Sequence, residues 1–340
     1  MTKTMTNGRK PAGPKNVLML GFSVLGHHFY RSLMAIRHRD FSVDVFALGG
    51  HNYSIFPAIL DRILARDHYD LVLLDMLTPD FRAWVKLEAF EAHLRTLLFK
   101  ISQQGMKVGF LHLHRFDVDP LSDPIRAICD SFSNQYDLPV LDFARWHVPA
   151  LGNEIQRYLN DGVHFTELGA RWAADIVVQS LEAPGVLGKS AALPELQPAG
   201  ALMRHCAYSF AELGLVAPTE TFTGYGVRWP VSVIAEEQPV TVAMPGQFFG
   251  TGVFFVNGPL SGLVDIDLPG GAPVALQIHD AKSYFERMYW RPVAIGKAAA
   301  VGFRQRAGRP GVVLDKGTPN LGRRKLTLAL VTGIAVPKHT

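Results

Sequence analysis

Two short segments hold the residue types that acyl-transfer chemistry needs. Gly21-Phe22-Ser23-Val24-Leu25-Gly26 sets a serine where an apolar run gives way to a helical pattern. At a helix N-terminus the backbone N–H groups and the helix dipole stabilise negative charge, which suits an alkoxide nucleophile and the oxyanion it creates. The same position also suits a plain N-cap, a common role for serine. Asn160-Asp161-Gly162-Val163-His164-Phe165-Thr166-Glu167-Leu168-Gly169 sets an aspartate three residues before a histidine on a loop. At that spacing the carboxylate can fix one imidazole nitrogen while the other faces outward as a base. Thr166 reads as the N-cap of the helix that follows. The candidate catalytic set is therefore Ser23 as nucleophile, His164 as base and Asp161 as its partner.

The chain between these segments must bring them together. Five apolar runs, NVLMLG (16–21), VDVFALG (43–49), DLVLLDM (70–76), MKVGFLHL (106–113) and LPVLDF (138–143), are short and apolar on both faces. Strands of a parallel sheet covered by helices on both sides have that composition. Helical patterns fall at about 25–38, 54–67, 80–104, 122–136 and 166–182. Repeated βα units of this kind imply a doubly wound, three-layer α/β domain, whose ligands bind at the carboxyl ends of the strands. Both candidate segments lie in such places.

Composition changes near residue 183. APGVLGKSAALPELQPAG reads as a linker over 184–200 by its Pro, Gly and Ala content. Beyond it, VSVIA, VTVAM, GVFFVNG, LVDIDL, VALQIHD, AAVGFRQ and KLTLALV alternate between turn signals and predict an antiparallel β-sandwich over 201–340. Residues 1–15, basic and rich in Gly, Pro and Thr, read as a flexible tail. His27 and His28 stand where a signal peptide would need small residues, so the expected location is cytoplasmic. No run has the roughly 18 apolar residues that span a bilayer.

The two blocks resemble a known family. DGVHFTELG looks like the last conserved block of the SGNH/GDSL hydrolases, in which D-x-x-H supplies acid and base. GFSVLG is similar to their first block, usually G-D-S-x-x-x-G, with Phe22 in place of the aspartate. The resemblance covers residues 16–183. It implies a five-stranded flavodoxin-like sheet and hydrolysis or transfer of a small acyl group, acetyl on a carbohydrate above all, with no metal or cofactor. In ALGGHNYS it places an oxyanion-binding N–H on Gly50, with Gly49 next in register, beside that of Ser23. Where the family shows G-x-N-D, this chain reads Leu77-Thr78-Pro79-Asp80, and Pro79 has no donor. Losing one such donor costs about 2.7–4 kcal/mol of transition-state stabilisation. Asn52 is the expected substitute, followed by His51 and Thr78.

Bulk composition narrows the rest. Over 340 residues the charge is only +4 and the chain is 48% hydrophobic, which fits globular domains and not a nucleic-acid stripe. Cys129 and Cys206 are too few for a disulfide framework or a zinc site. His112 and His114 share one strand face, as a metal site or the lining of a cleft would require, and the cleft is the expected role. Trp229, Tyr284, Tyr289 and Trp290 suit either a sugar-stacking platform or a sandwich core. The expected function is an esterase or O-acyltransferase; its rival is a non-catalytic carbohydrate-binding or scaffold protein with a degenerate site.

Overall fold

In the computed structural model, the residues described are 15–36, 38, 40–51, 53–79, 86–183, 186–187, 193, 196–198, 200–224, 227–307, 311–317 and 322–336. The first strand, β1 (Lys15–Phe22), starts inside the expected tail, because Asp70 grips the Lys15 ammonium and the Asn16 N–H, each at 2.8 Å. The rest of the tail, and most of the expected linker, lie outside the described residues. β1 pairs in parallel with β2 (Phe41–Leu48) and β3 (Leu71–Leu74), and β4 (Lys107–His112) and β5 (Val140–Asp142) extend the sheet. The order β2-β1-β3-β4-β5 is flavodoxin-like, with its switch point between β1 and β3.

Helices cover both faces, which is why Val17 to Leu20 are buried without alternation. In chain order the helices are α1 (His27–Ala35), α2 (Phe56–Leu64), α3 (Leu87–Gln103), α4 (Pro124–Tyr136), two single turns α5 (Phe143–Trp146) and α6 (Val148–Leu151), and α7 (Glu167–Glu182). One apolar core lies under α1 and α7; another lies under α2, α3 and α4. Helix α3 starts later than its periodicity suggests, since Lys86 is extended and acts as its N-cap; residues 80–85 are outside the described set.

After the short α8 (Gly200–Met203), the described residues form ten strands: β6 (His205–Ser209), β7 (Thr219–Gly224), β8 (Val227–Ala235), β9 (Pro239–Ala243), β10 (Phe248–Asn257), β11 (Leu263–Asp267), β12 (Val274–Gln277), β13 (Arg287–Gly296), β14 (Ala300–Gln305) and β15 (Lys325–Ala335). They make two antiparallel sheets, β13-β10-β15-β8-β7 with β6 also on β15, and β12-β11-β14-β9. Phe255, Phe303 and Leu326 fill the space between them. Strands β6, β7 and β13 break the expected alternation. β13 contains Arg291-Pro292, a pair tolerated because this strand is the edge of its sheet.

The larger sandwich sheet turns its outer face onto the α/β domain. Phe222, Trp229, Phe254, Met288 and Leu330 belong to the same buried core as Phe46, Ile59 and Leu60. The Trp229 ring meets Phe46 edge-on, with centroids 5.9 Å apart. Leu193 and Leu196, from the expected linker, are buried in that core as well. Arg62 spans the junction, donating from Nε to the Ala207 carbonyl at 2.6 Å and pairing with Glu212. Among the described residues no helix is long and apolar enough to cross a membrane.

A core shared between domains couples their unfolding. Trp229→Ala should cost about 3–5 kcal/mol, seen as a lower urea midpoint. Circular dichroism of both domains should still report one transition; two separated transitions in the wild type would show the domains to be independent.

Candidate active site

Ser23 stands immediately beyond β1, at the sheet's switch point, and opens a single 3-10 turn, Ser23–Leu25. It caps no helix. The N-cap of α1 is Gly26, and the Ser23 hydroxyl turns instead toward His164, whose Nε2 lies 2.8 Å from Oγ. His164 Nδ1 is 2.8 Å and 3.0 Å from the two Asp161 carboxylate oxygens. With Nδ1–H donating to the carboxylate, Nε2 is left bare to accept the serine proton. The sequence reading brings these three residues together, and so does the fold.

The loop that holds Asp161 and His164 is stitched at its base. Leu159 and Phe165 form an isolated antiparallel bridge, the Asn160 N–H donates to the His164 carbonyl at 2.7 Å, and the Thr166 N–H donates to Tyr158 at 2.9 Å. Thr166 caps α7, its hydroxyl accepting from the Gly169 N–H. Gly169 is needed for the close pass: a Cβ there would sit 2.0 Å from the Tyr158 carbonyl oxygen. Inside the loop, Asp161 Oδ1 accepts the His164 N–H at 2.9 Å and the Val163 N–H at 3.3 Å. Partial burial pushes the Asp161 carboxyl up, but these N–H groups and the imidazole outweigh it and hold the acid below the usual carboxylate range. Asp161 is thus an anion at neutral pH, as the orienting role requires.

Of the two departures from the family pattern, the first has a physical explanation. Phe22 is buried and tilts against Phe56, with centroids 5.4 Å apart, so an aspartate there would be buried in an apolar core. The loop after β3 is held by Asp75, whose carboxylate accepts the Leu77 and Thr78 N–H groups, each at 3.2 Å, and the Thr78 hydroxyl. Thr78 is therefore not a spare donor. Neither is His51: its Nδ1–H donates to the Gly49 carbonyl at 2.9 Å, and its Nε2 accepts the Trp290 N–H at 2.8 Å. Both expected substitutes are spent on structure, and Asn52 lies outside the described residues. Gly50, at φ +75°, faces Tyr289, where a Cβ would come within 3.1 Å of the ring.

His112 is fully buried beside Phe110, its pKa lowered to about 4 by burial, and lines no part of the serine cavity. Among the described residues no cluster of three His, Cys, Asp or Glu side chains is arranged for a metal. Asp142 caps α5 and pairs with Arg126.

The cavity over Ser23 and His164 has a volume of about 570 Å³, a size suited to a small ligand. Gly49 and Gly50 form part of its wall. Much of the rest comes from the sandwich: Phe222, Lys282, Tyr284, Phe285, Arg287 and Lys316. Of the four aromatic residues singled out in the sequence, only Tyr284 lines it; Trp229 is in the shared core, and Trp290 Nε1 donates to the Thr332 hydroxyl at 2.9 Å. The charged residues of this wall have no local motif, so sequence reading missed them.

Two crystal structures of a two-domain esterase (CEX) active on acetylated mannans, one co-crystallized with mannopentaose, match 96% of this chain and 92% and 93% of theirs. The TM-scores are 0.60 and 0.62, at 15% and 14% sequence identity. The fold is that of the two-domain esterase. The match spans both domains, so the parallel sheet and the appended sandwich belong to one shared architecture. No protein-family model and no curated protein matches the sequence.

Burial, aided by the nearby Arg287 and Arg291 charges, lowers the His51 pKa from 6.5 to about 4 against the pull of the Gly49 carbonyl. Between those values the unfolded chain binds a proton that the folded one refuses. Stability is therefore complete above about pH 6.5 and falls on acidification toward pH 4. From pH 7 to 5 the loss should be about 2 kcal/mol for this residue, read by urea unfolding. His51→Gln should be less stable at pH 7 and should lose correspondingly less over the same interval. An unchanged pH dependence would remove His51 as its source.

Proposed function

We propose that the protein is a serine-dependent ester hydrolase acting on a small acyl group, acetyl above all, borne by a carbohydrate. The observation behind this reading is the hydrogen-bonded series Asp161–His164–Ser23, with 2.8 Å at both junctions, opening into a cavity at the carboxyl end of a parallel sheet. Ser23 Oγ attacks the acyl carbon while His164 Nε2 takes its proton. Asp161 supports the imidazolium that results. The Ser23 and Gly50 N–H groups receive the developing oxyanion. Collapse of the tetrahedral species expels the sugar hydroxyl, protonated by His164, and leaves an acyl-serine. Water, deprotonated by the same imidazole, then releases the acid; a second sugar hydroxyl in its place would make the reaction a transfer.

The carbohydrate assignment draws on the fold shared with an esterase active on acetylated mannans, and on Tyr284 and Phe285, whose rings border the cavity where a sugar face can stack. The engaged Ser23 hydroxyl also weighs against the binding-protein reading, in which that serine would serve as a cap.

A fluorophosphonate probe should label the wild-type protein at Ser23 and leave Ser23→Ala unlabelled. On an aryl acetate, Ser23→Ala and His164→Ala should each lower kcat by about 10³-fold or more, and Asp161→Asn by about 10⁴-fold at most. Undiminished turnover in Ser23→Ala would move the chemistry to another residue. An unlabelled, inactive wild type would favour the binding protein.

A further inference from the structure

The cavity wall is electrically lopsided. Asp161 is the one carboxylate among its described lining residues, and it is occupied by His164, whereas Lys282, Arg287 and Lys316 line the same space. Lys282 and Lys316 make no ion pair among the described residues. Resting on the ester-hydrolase reading, we propose that the acylated saccharide this cavity selects bears a fixed negative charge, a uronate carboxylate or a sulfate, which Lys282 and Lys316 of the sandwich domain receive beside the Asp280-paired Arg287.

The backbone that carries the two lysines is ordered by its own hydrogen bonds. Asp280 caps its own turn, accepting the Lys282 N–H at 3.0 Å, while the Asp280 N–H donates to the Ser283 hydroxyl at 2.9 Å. The loop with Lys316 is tied to this turn by the Asp315 N–H, which donates to the Ala281 carbonyl at 2.7 Å. Arg287 is nine-tenths buried, pairs with Asp280 and lies over the Tyr289 ring, its carbon centre 5.0 Å from the centroid. The two lysines thus extend from hydrogen-bonded turns, and the paired Arg287 lines the same cavity. Positive groups fixed at the edge of a low-dielectric cleft raise the local concentration of an anionic substrate and its rate of encounter. A neutral saccharide gains no such Coulombic attraction from them.

The test compares three acetylated oligosaccharides of equal length with the full-length protein: a galacturonide, a sulfated galactoside and a neutral mannoside. The expected kcat/KM for at least one anionic ester exceeds that of the mannoside by about tenfold or more at low salt, and the excess shrinks as sodium chloride is raised. Which anion wins identifies the charged group. In Lys282→Gln/Lys316→Gln, and more so in Lys282→Glu/Lys316→Glu, the ratio of the anionic to the neutral rate in the same preparation falls by about tenfold or inverts. That ratio is indifferent to the amount of folded enzyme. Equal rates on all three substrates with no salt dependence overturn the charge inference and leave the hydrolase intact. Inactivity on all three, together with silence toward aryl acetate and fluorophosphonate, overturns the hydrolase reading itself.

Discussion

The bond from the Trp290 backbone N–H to His51 Nε2 joins the loop after β2 to the edge strand of the sandwich. Much of the site depends on it. That loop carries Gly49 and Gly50, which face Ser23 and Tyr289, and the strand that contains Trp290 begins at Arg287. One neutral imidazole, buried and bonded at both nitrogens, links the loop beside the nucleophile to the strand that carries Arg287. The shared core of Phe46 and Trp229 supplies the area of the junction; His51 supplies its registration. Burial of a polar ring is tolerable here because both nitrogens are satisfied.

The separation of roles between the domains follows. The α/β domain, through its sheet and the stitched base of the second loop, places Ser23, directly after β1, and the Asp161–His164 loop, which follows β5 by way of α5 and α6, at one end. It provides little else around the ligand. The sandwich turns a sheet edge and two loops over the serine, so substrate contacts can vary without moving the reacting groups.

What was legible in the sequence is what has a local period or motif. The five strands of the first domain appeared as apolar runs because burial on both faces removes polar alternatives. The Asp161–His164 spacing was readable because one loop contains both partners. β13 was not readable: Arg287, Arg291 and Pro292 interrupt its alternation, and their reasons lie in Asp280, Tyr289 and the edge position. The expectation for His51 and Thr78 failed for a related reason. A polar side chain on the right loop looked free, but its partners, Trp290 and Asp75, are set by the fold, and one of them is 239 residues away in sequence. Leu193 and Leu196 were hidden by a linker-like composition, although their side chains are packed into the core.

Pro292 bears on how these molecules meet one another. An edge strand offers unpaired N–H and C=O groups that a second chain can extend as a further strand. β13 is such an edge, yet its Trp290 N–H is already given to His51, Pro292 has no N–H to give, and the strand bears Arg287 and Arg291. Two like edges would bring their positive charges together and find a donor missing from the ladder. The strand bordering the ligand cavity therefore offers little for a second chain to extend.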